Sequence, residues 1–197
     1  MKKFLTLLVT IGSIINFSCE AQEPVPSSET QIAGALLAAP EGMRDNAAVW
    51  GYDKKGNWVE LKAGTNEMIC AADDYKREGF SAASYHKDLH AFMLRGRELR
   101  AQGIKGDDLF DQREKEVGDG SLKMPEQPTT LHILTGSAFS EDSSAVVDPY
   151  YRYVVYIPYA TPASTGLPPK PRAPGEPWIM DPGTHRAHIM ITPPREK

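Results

Sequence analysis

The chain has 197 residues, with 22 Lys and Arg against 26 Asp and Glu and a formal net charge of −4, and no run of basic residues forms a stripe that could track phosphates. These values argue against nucleic acid or an anionic lipid surface as the main partner. Once a leader is removed, about 175 residues remain, enough for one domain that buries its core without disulfide staples, and 16 Pro and 16 Gly make the chain rich in turns.

The N-terminus opens with Lys2-Lys3 and an apolar run over residues 4–17, followed by small residues. This is the pattern of a bacterial export signal, here assigned to residues 1–21, and the run is too short to span a membrane. Two processing routes fit. Cys19-Glu20-Ala21 before Gln22 suits simple cleavage, whereas Asn16-Phe17-Ser18-Cys19 approximates a lipobox in which Cys19 would carry lipid, with Asn16 where the pattern wants an aliphatic residue. Residues 22–28 read as a Pro/Ser-rich linker and residues 29–197 as a single globular domain. In either route Cys70 is left without a partner, and its apolar setting beside Met68 and Ile69 predicts a buried small hydrophobe.

A short helix is predicted from Ser28, with Ile32, Ala35, Leu36 and Ala39 on one face and Pro40 as its stop. Residues 48–52 and 57–61 then flank Asp53-Lys54-Lys55-Gly56, a hairpin in which Gly56 supplies a positive φ. Trp50, Tyr52 and Trp58 on these strands are either cross-strand packing or an exposed platform for a sugar ring. The segment 81–102 carries the clearest helical period: Ala82, Tyr85, Leu89, Phe92, Met93 and Leu99 fall on one stripe, with Ser81 as cap, Gly103 as stop, and Gly96 on the buried side where a strand could approach. On such a helix His86 and His90 stand one turn apart and could hold a divalent metal such as zinc; a pair with no third ligand nearby is also what flanking core histidines look like.

Further along, residues 107–117 predict a helix capped by Asp107 with a solvated, charged face. Residues 129–135 read as a buried strand, and 136–144 as a Gly/Ser-rich acidic loop without the Lys and second Gly of a phosphate loop. The Tyr-rich run 150–159 predicts a strand with Tyr151, Tyr153, Val155 and Ile157 on one face and Arg152, Val154 and Tyr156 on the other. Its Pro158 marks an edge or an end. The proline-rich stretch 161–177 predicts an extended surface excursion, and residues 187–191 a last strand.

Several short motifs, Gly64-Thr65-Asn66 leading to Cys70, His90-Ala91-Phe92-Met93, Val147-Asp148-Pro149-Tyr150 and His188-Ile189-Met190-Ile191, recur in similar order in a group of uncharacterised exported bacterial proteins, which the chain resembles over most of its mature length. The resemblance implies an exported globular domain and brings no catalytic residues. Members of that group often carry a second Cys soon after the position of Cys70, which this chain lacks.

Neither a G-x-S-x-G elbow nor an H-E-x-x-H pair occurs, so any catalytic chemistry must come from the histidines. His90 and His188 meeting in a cleft, with Asp148 orienting one imidazole, would give an acid–base site. The expected fold is α+β, one domain with an antiparallel or mixed sheet of about five strands and one main helix packed on a face. The expected function is a non-catalytic envelope protein, needing no cofactor, that binds a small molecule, glycan or protein in the periplasm, outer envelope or extracellular space. The alternative is a metal-dependent hydrolase built on His86, His90 and His188.

Overall fold

The computed structural model describes residues 24–195; the predicted export signal, including Cys19, lies outside the described residues. Helix α1 (Ser28–Leu36) begins where Ser27 Oγ accepts the Thr30 N–H at 3.1 Å. Strands β1 (Ala48–Tyr52) and β2 (Trp58–Lys62) form the expected hairpin, closed at Gly56 with φ 79° and tied by Asp53, whose carboxylate accepts the Lys55 and Asn57 N–H groups. Strand β3 (Met68–Ala71) runs parallel to β1. After it come β4 (Phe80–His86), α2 (His90–Ala101), α3 (Gly106–Gly118), β5 (Thr129–Gly136), a small hairpin of β6 (Ala138–Ser140) and β7 (Ala145–Val147), β8 (Tyr150–Tyr156), the one-turn helix α4 (Pro162–Thr165), β9 (Trp178–Met180) and β10 (His188–Ile191).

The fold is α+β, as the sequence implies. The main sheet holds eight strands rather than about five, in the order β2-β1-β3-β4-β5-β8-β10-β9, and is mixed only through the parallel β1–β3 pair. No helix among the described residues is long and apolar enough to cross a membrane.

The largest departure from the sequence reading is at residues 80–86. They form a strand between β3 and β5, not the first turns of a helix. Phe80, Ala82 and Ser84 face one side and Ala83 and Tyr85 the other, and Ala and Ser, which carry little intrinsic preference for strand, are held there by pairing on both edges. The chain leaves the sheet at His86, whose Nδ1 accepts the Asp88 N–H at 3.3 Å and caps a single 3₁₀ turn (Lys87–Leu89) leading into α2. The stripe Leu89, Phe92, Leu99 is buried as expected. Gly103, with φ 85°, ends the helix, while α3 starts after Lys105 and has no side-chain cap, so Asp107 sits in its first turn where the helix dipole favours a carboxylate.

Two layers cover the sheet. On one face α1 packs over Val49, Met68 and Cys70, and Ala38 of its trailing turn over Ala82 and Leu134. Ser84, fully buried, donates to the Ala38 carbonyl at 2.9 Å. Gln31 stitches α1 to the hairpin, accepting from Tyr52 N at 2.7 Å and donating to the Tyr52 carbonyl at 2.9 Å. On the other face Leu89 and Phe92 meet Ile69, Tyr85, Leu131, Val154, Tyr156 and Met190. Cys70 is a buried free thiol, and desolvation pushes its pKa up to about 12, so it stays a protonated hydrophobe.

Candidate functional site

The predicted aromatic platform is not free. Trp58 lies beneath the Arg97 guanidinium, 3.4 Å from ring centroid to Cζ, and Arg97 Nη1 donates to the Tyr52 hydroxyl at 3.1 Å. Trp50 packs against His90 at 4.8 Å between centroids. Helix α2 has taken the surface on which a sugar would stack, leaving both tryptophans as cross-layer packing.

The histidines are dispersed as well. His86 ends β4 on the face opposite Tyr85, between Glu67 at 3.9 Å and Asp88 at 3.4 Å, so it does not share a helical face with His90. His90 Nδ1 lies 3.3 Å from the Tyr85 hydroxyl. His188 is in β10, three strands across the sheet from β4 and hence roughly 14 Å from the Tyr85 column. Its Nδ1 donates to the Arg186 carbonyl at 2.6 Å, which fixes the tautomer. Asp148 precedes β8, whereas His188 pairs with Tyr156 at the far end of that strand, roughly 25 Å away. The structure therefore brings none of His90, His188 and Asp148 together, and among the described residues no three His, Cys, Asp or Glu side chains group in a way that could hold a metal ion.

Burial disfavours the charged form of four histidines, His90, His132, His185 and His188, and lowers each below the usual 6.5. The unfolded chain then takes up protons first as pH falls. Their contribution to stability is full above pH 6.5 and is lost as pH drops through the folded values, with a slope of up to about 1.4 kcal/mol per pH unit for each fully buried ring. Glu116, held at about 2 by the Arg95 guanidinium, stays ionised throughout this window. Urea unfolding is expected to show stability falling from pH 7 to pH 5, with His185→Phe recovering part of the loss; a flat profile would contradict it.

The cleft that sequence reasoning missed lies at the start of β8. It has a volume of about 720 Å³ and is walled by Tyr150, Tyr151 and Tyr153, with Asp148, Ser137 and Arg195 at its rim. Asp148 adopts φ 51° and accepts a 2.9 Å hydrogen bond from Ser137 Oγ, which ties the turn before β8 to the end of β5. The Tyr150 hydroxyl donates to the Pro193 carbonyl at 2.8 Å, and Arg195 lies 4.5 Å over the Tyr150 ring, so the C-terminal segment forms the opposite wall. Tyr151 and Tyr153 share one face of β8, in register with Leu134 and His132, and Tyr153 is 37% exposed with His132 edge-on to it at 5.7 Å. The facing of Tyr151 and Tyr153 was readable from their alternation; that Tyr153 stays open was not, because it depends on α1 lying over β1 to β4 and its trailing turn reaching only Leu134 and Tyr151.

A second cleft, of about 630 Å³, separates the start of α1 from β6 and is lined by mixed charges that include Asp73, Lys76, Arg77 and Glu141. Glu141 accepts from Thr30 Oγ1 at 2.8 Å across it.

Fold and site together define an α+β domain with an open tyrosine-walled cleft. No protein-family description, curated protein or solved structure matches the chain.

Proposed function

We propose that the protein is a non-catalytic binding domain of the bacterial cell envelope and that its cleft at Tyr150, Tyr151 and Tyr153 takes a glycan. One observation carries this reading: an exposed tyrosine, Tyr153, lines a cleft of ligand size that also holds a carboxylate, Asp148, fixed by Ser137. Tyrosine rings offer an apolar face to sugar C–H groups and a polar edge to hydroxyls, and a fixed carboxylate accepts hydroxyl hydrogen bonds with direction. The export pattern at Lys2-Lys3 and the apolar run after it support an envelope location, and mass spectrometry of the mature N-terminus distinguishes cleavage after Ala21 from lipid on Cys19.

The ligand is tested with a glycan array followed by titration calorimetry on the best hit. Tyr153→Ala and Asp148→Asn are each expected to weaken that hit at least ~10-fold, with the melting temperature unchanged, since Tyr153 is exposed and Asn tolerates the left-handed backbone at 148. Equal binding by wild type and both variants, or no hit on the array, would remove the glycan reading.

A further inference from the structure

Where α2 meets α3, Arg95 is paired with Glu116, but Arg113 and Arg100 meet with no acid bonded to either among the described residues. Arg113 is 4% exposed, its guanidinium lies 4.1 Å over the Phe92 ring, and its Nε has no hydrogen-bond partner among the described residues. The helix expected to present a solvated charged face has turned this residue inward, in phase with Leu109. Gly96 shows where the guanidinium goes: a Cβ there would stand 3.0 Å from Arg113 Nη1 and 3.5 Å from Arg100 Nη1, which donates to the Gly96 carbonyl at 3.1 Å, so two cations approach one point from two helices. The close approach at Gly96 is therefore that of an arginine, and not of a strand.

Behind Phe92 lies His185, 0% exposed, with neither ring nitrogen hydrogen-bonded among the described residues. The nearby acids are otherwise engaged or too far. Glu116 is held by Arg95 at 2.6 Å, Asp181 by Arg186 at 2.7 Å, and Glu114 Oε1 is 3.8 Å from His185 Nδ1, beyond hydrogen-bond reach.

A buried guanidinium without an acceptor is costly, and a second cation beside it adds repulsion. An oxyanion relieves both, because the planar fork of arginine matches a carboxylate or phosphate edge with paired hydrogen bonds. We propose that Arg113 and Arg100, converging beside Gly96, form a binding site for a small oxyanion, the phosphate or carboxylate group of a ligand that enters from the exposed Arg100 side. The site is independent of the tyrosine cleft, which lies at the opposite end of β8.

Thermal unfolding of the full chain in sodium phosphate and in sodium succinate, each against sodium chloride at matched ionic strength, tests the proposal. A saturable rise in melting temperature over chloride is expected for wild type in at least one arm, and the arm that responds assigns phosphate or carboxylate. Arg113→Met is expected to abolish the response and to melt higher than wild type in chloride, since it replaces an unpaired charge by an apolar chain. Arg100→Gln, at an exposed position that leaves the fold intact if the buried variant does not express, is expected to raise the dissociation constant ~10-fold. No rise in either arm for wild type, or the wild-type response retained in Arg100→Gln, would overturn the proposal.

Discussion

Phe92→Ala is expected to cost about 3–5 kcal/mol of folding stability. Phe92 is 1% exposed and sits where three layers meet: its ring is 5.9 Å from Tyr156 of the sheet, 5.7 Å from His185 of the loop before β10, and 4.1 Å from the Arg113 guanidinium of α3. Truncation leaves a cavity that these neighbours cannot fill without moving, and it also strips the Arg113 cation of the aromatic face beneath it, a contact worth about 2 kcal/mol when desolvated. Urea unfolding should show the midpoint shifted with the slope unchanged. Coupling should also appear: Arg113→Met introduced into Phe92→Ala should stabilise more than the same change in wild type, because the guanidinium is then already without its aromatic partner. A loss below about 1 kcal/mol would mean that the ring does not hold these layers together.

Gly64→Ala is expected to destabilise by at least about 3 kcal/mol, from overpacking and lost backbone hydrogen bonds together. A Cβ at this position would stand 2.2 Å from the Ala48 backbone nitrogen and 2.8 Å from the Ala47 carbonyl carbon, and neither atom can swing aside as a side-chain end would. The connection from β2 to β3 is pinned there, with Thr65 N and Asn66 N both donating to the Asn46 carbonyl, at 2.8 and 3.1 Å. Moving it loosens the entry to β1 and the buried Ala47 and Val49 behind it. Gly118→Ala, at the end of α3 with nothing within 4 Å of its Cβ position, is the control and should lie within about 0.5 kcal/mol of wild type. Equal stability of the two variants would argue against the close approach at Gly64.

Much of the architecture was legible because it is local. Gly56 and the Asp53 turn, the start of α1 at Ser28, the stop at Gly103, and the alternation in β8 each follow from what a few neighbouring residues can do. The functional candidates were less legible. Trp50, Trp58 and His90 carry the right side chains for a platform or a ligand set, yet how far their faces stay free depends on where α2 settles, and its Arg97 and His90 occupy the rings of Trp58 and Trp50. Tyr153 stays exposed for the opposite reason, since the turn after α1 reaches across that face only as far as Leu134 and Tyr151.

By itself the sequence determined the hairpin turn at Gly56, the stop of α2 at Gly103, the apolar residues Leu89, Phe92 and Leu99 of its stripe and the α+β class, all set by backbone preference and side-chain period over a few residues. Tertiary structure alone decided that residues 80–86 are a strand, that Arg113 Nε and both His185 ring nitrogens are buried without a hydrogen-bond partner among the described residues, and that Tyr153 stays open. The physical reason is the same in each case. Ala and Ser accept whichever backbone their neighbours pair with, and burial of a charge or a ring belongs to the element that packs on it, not to the residue or its flanking sequence.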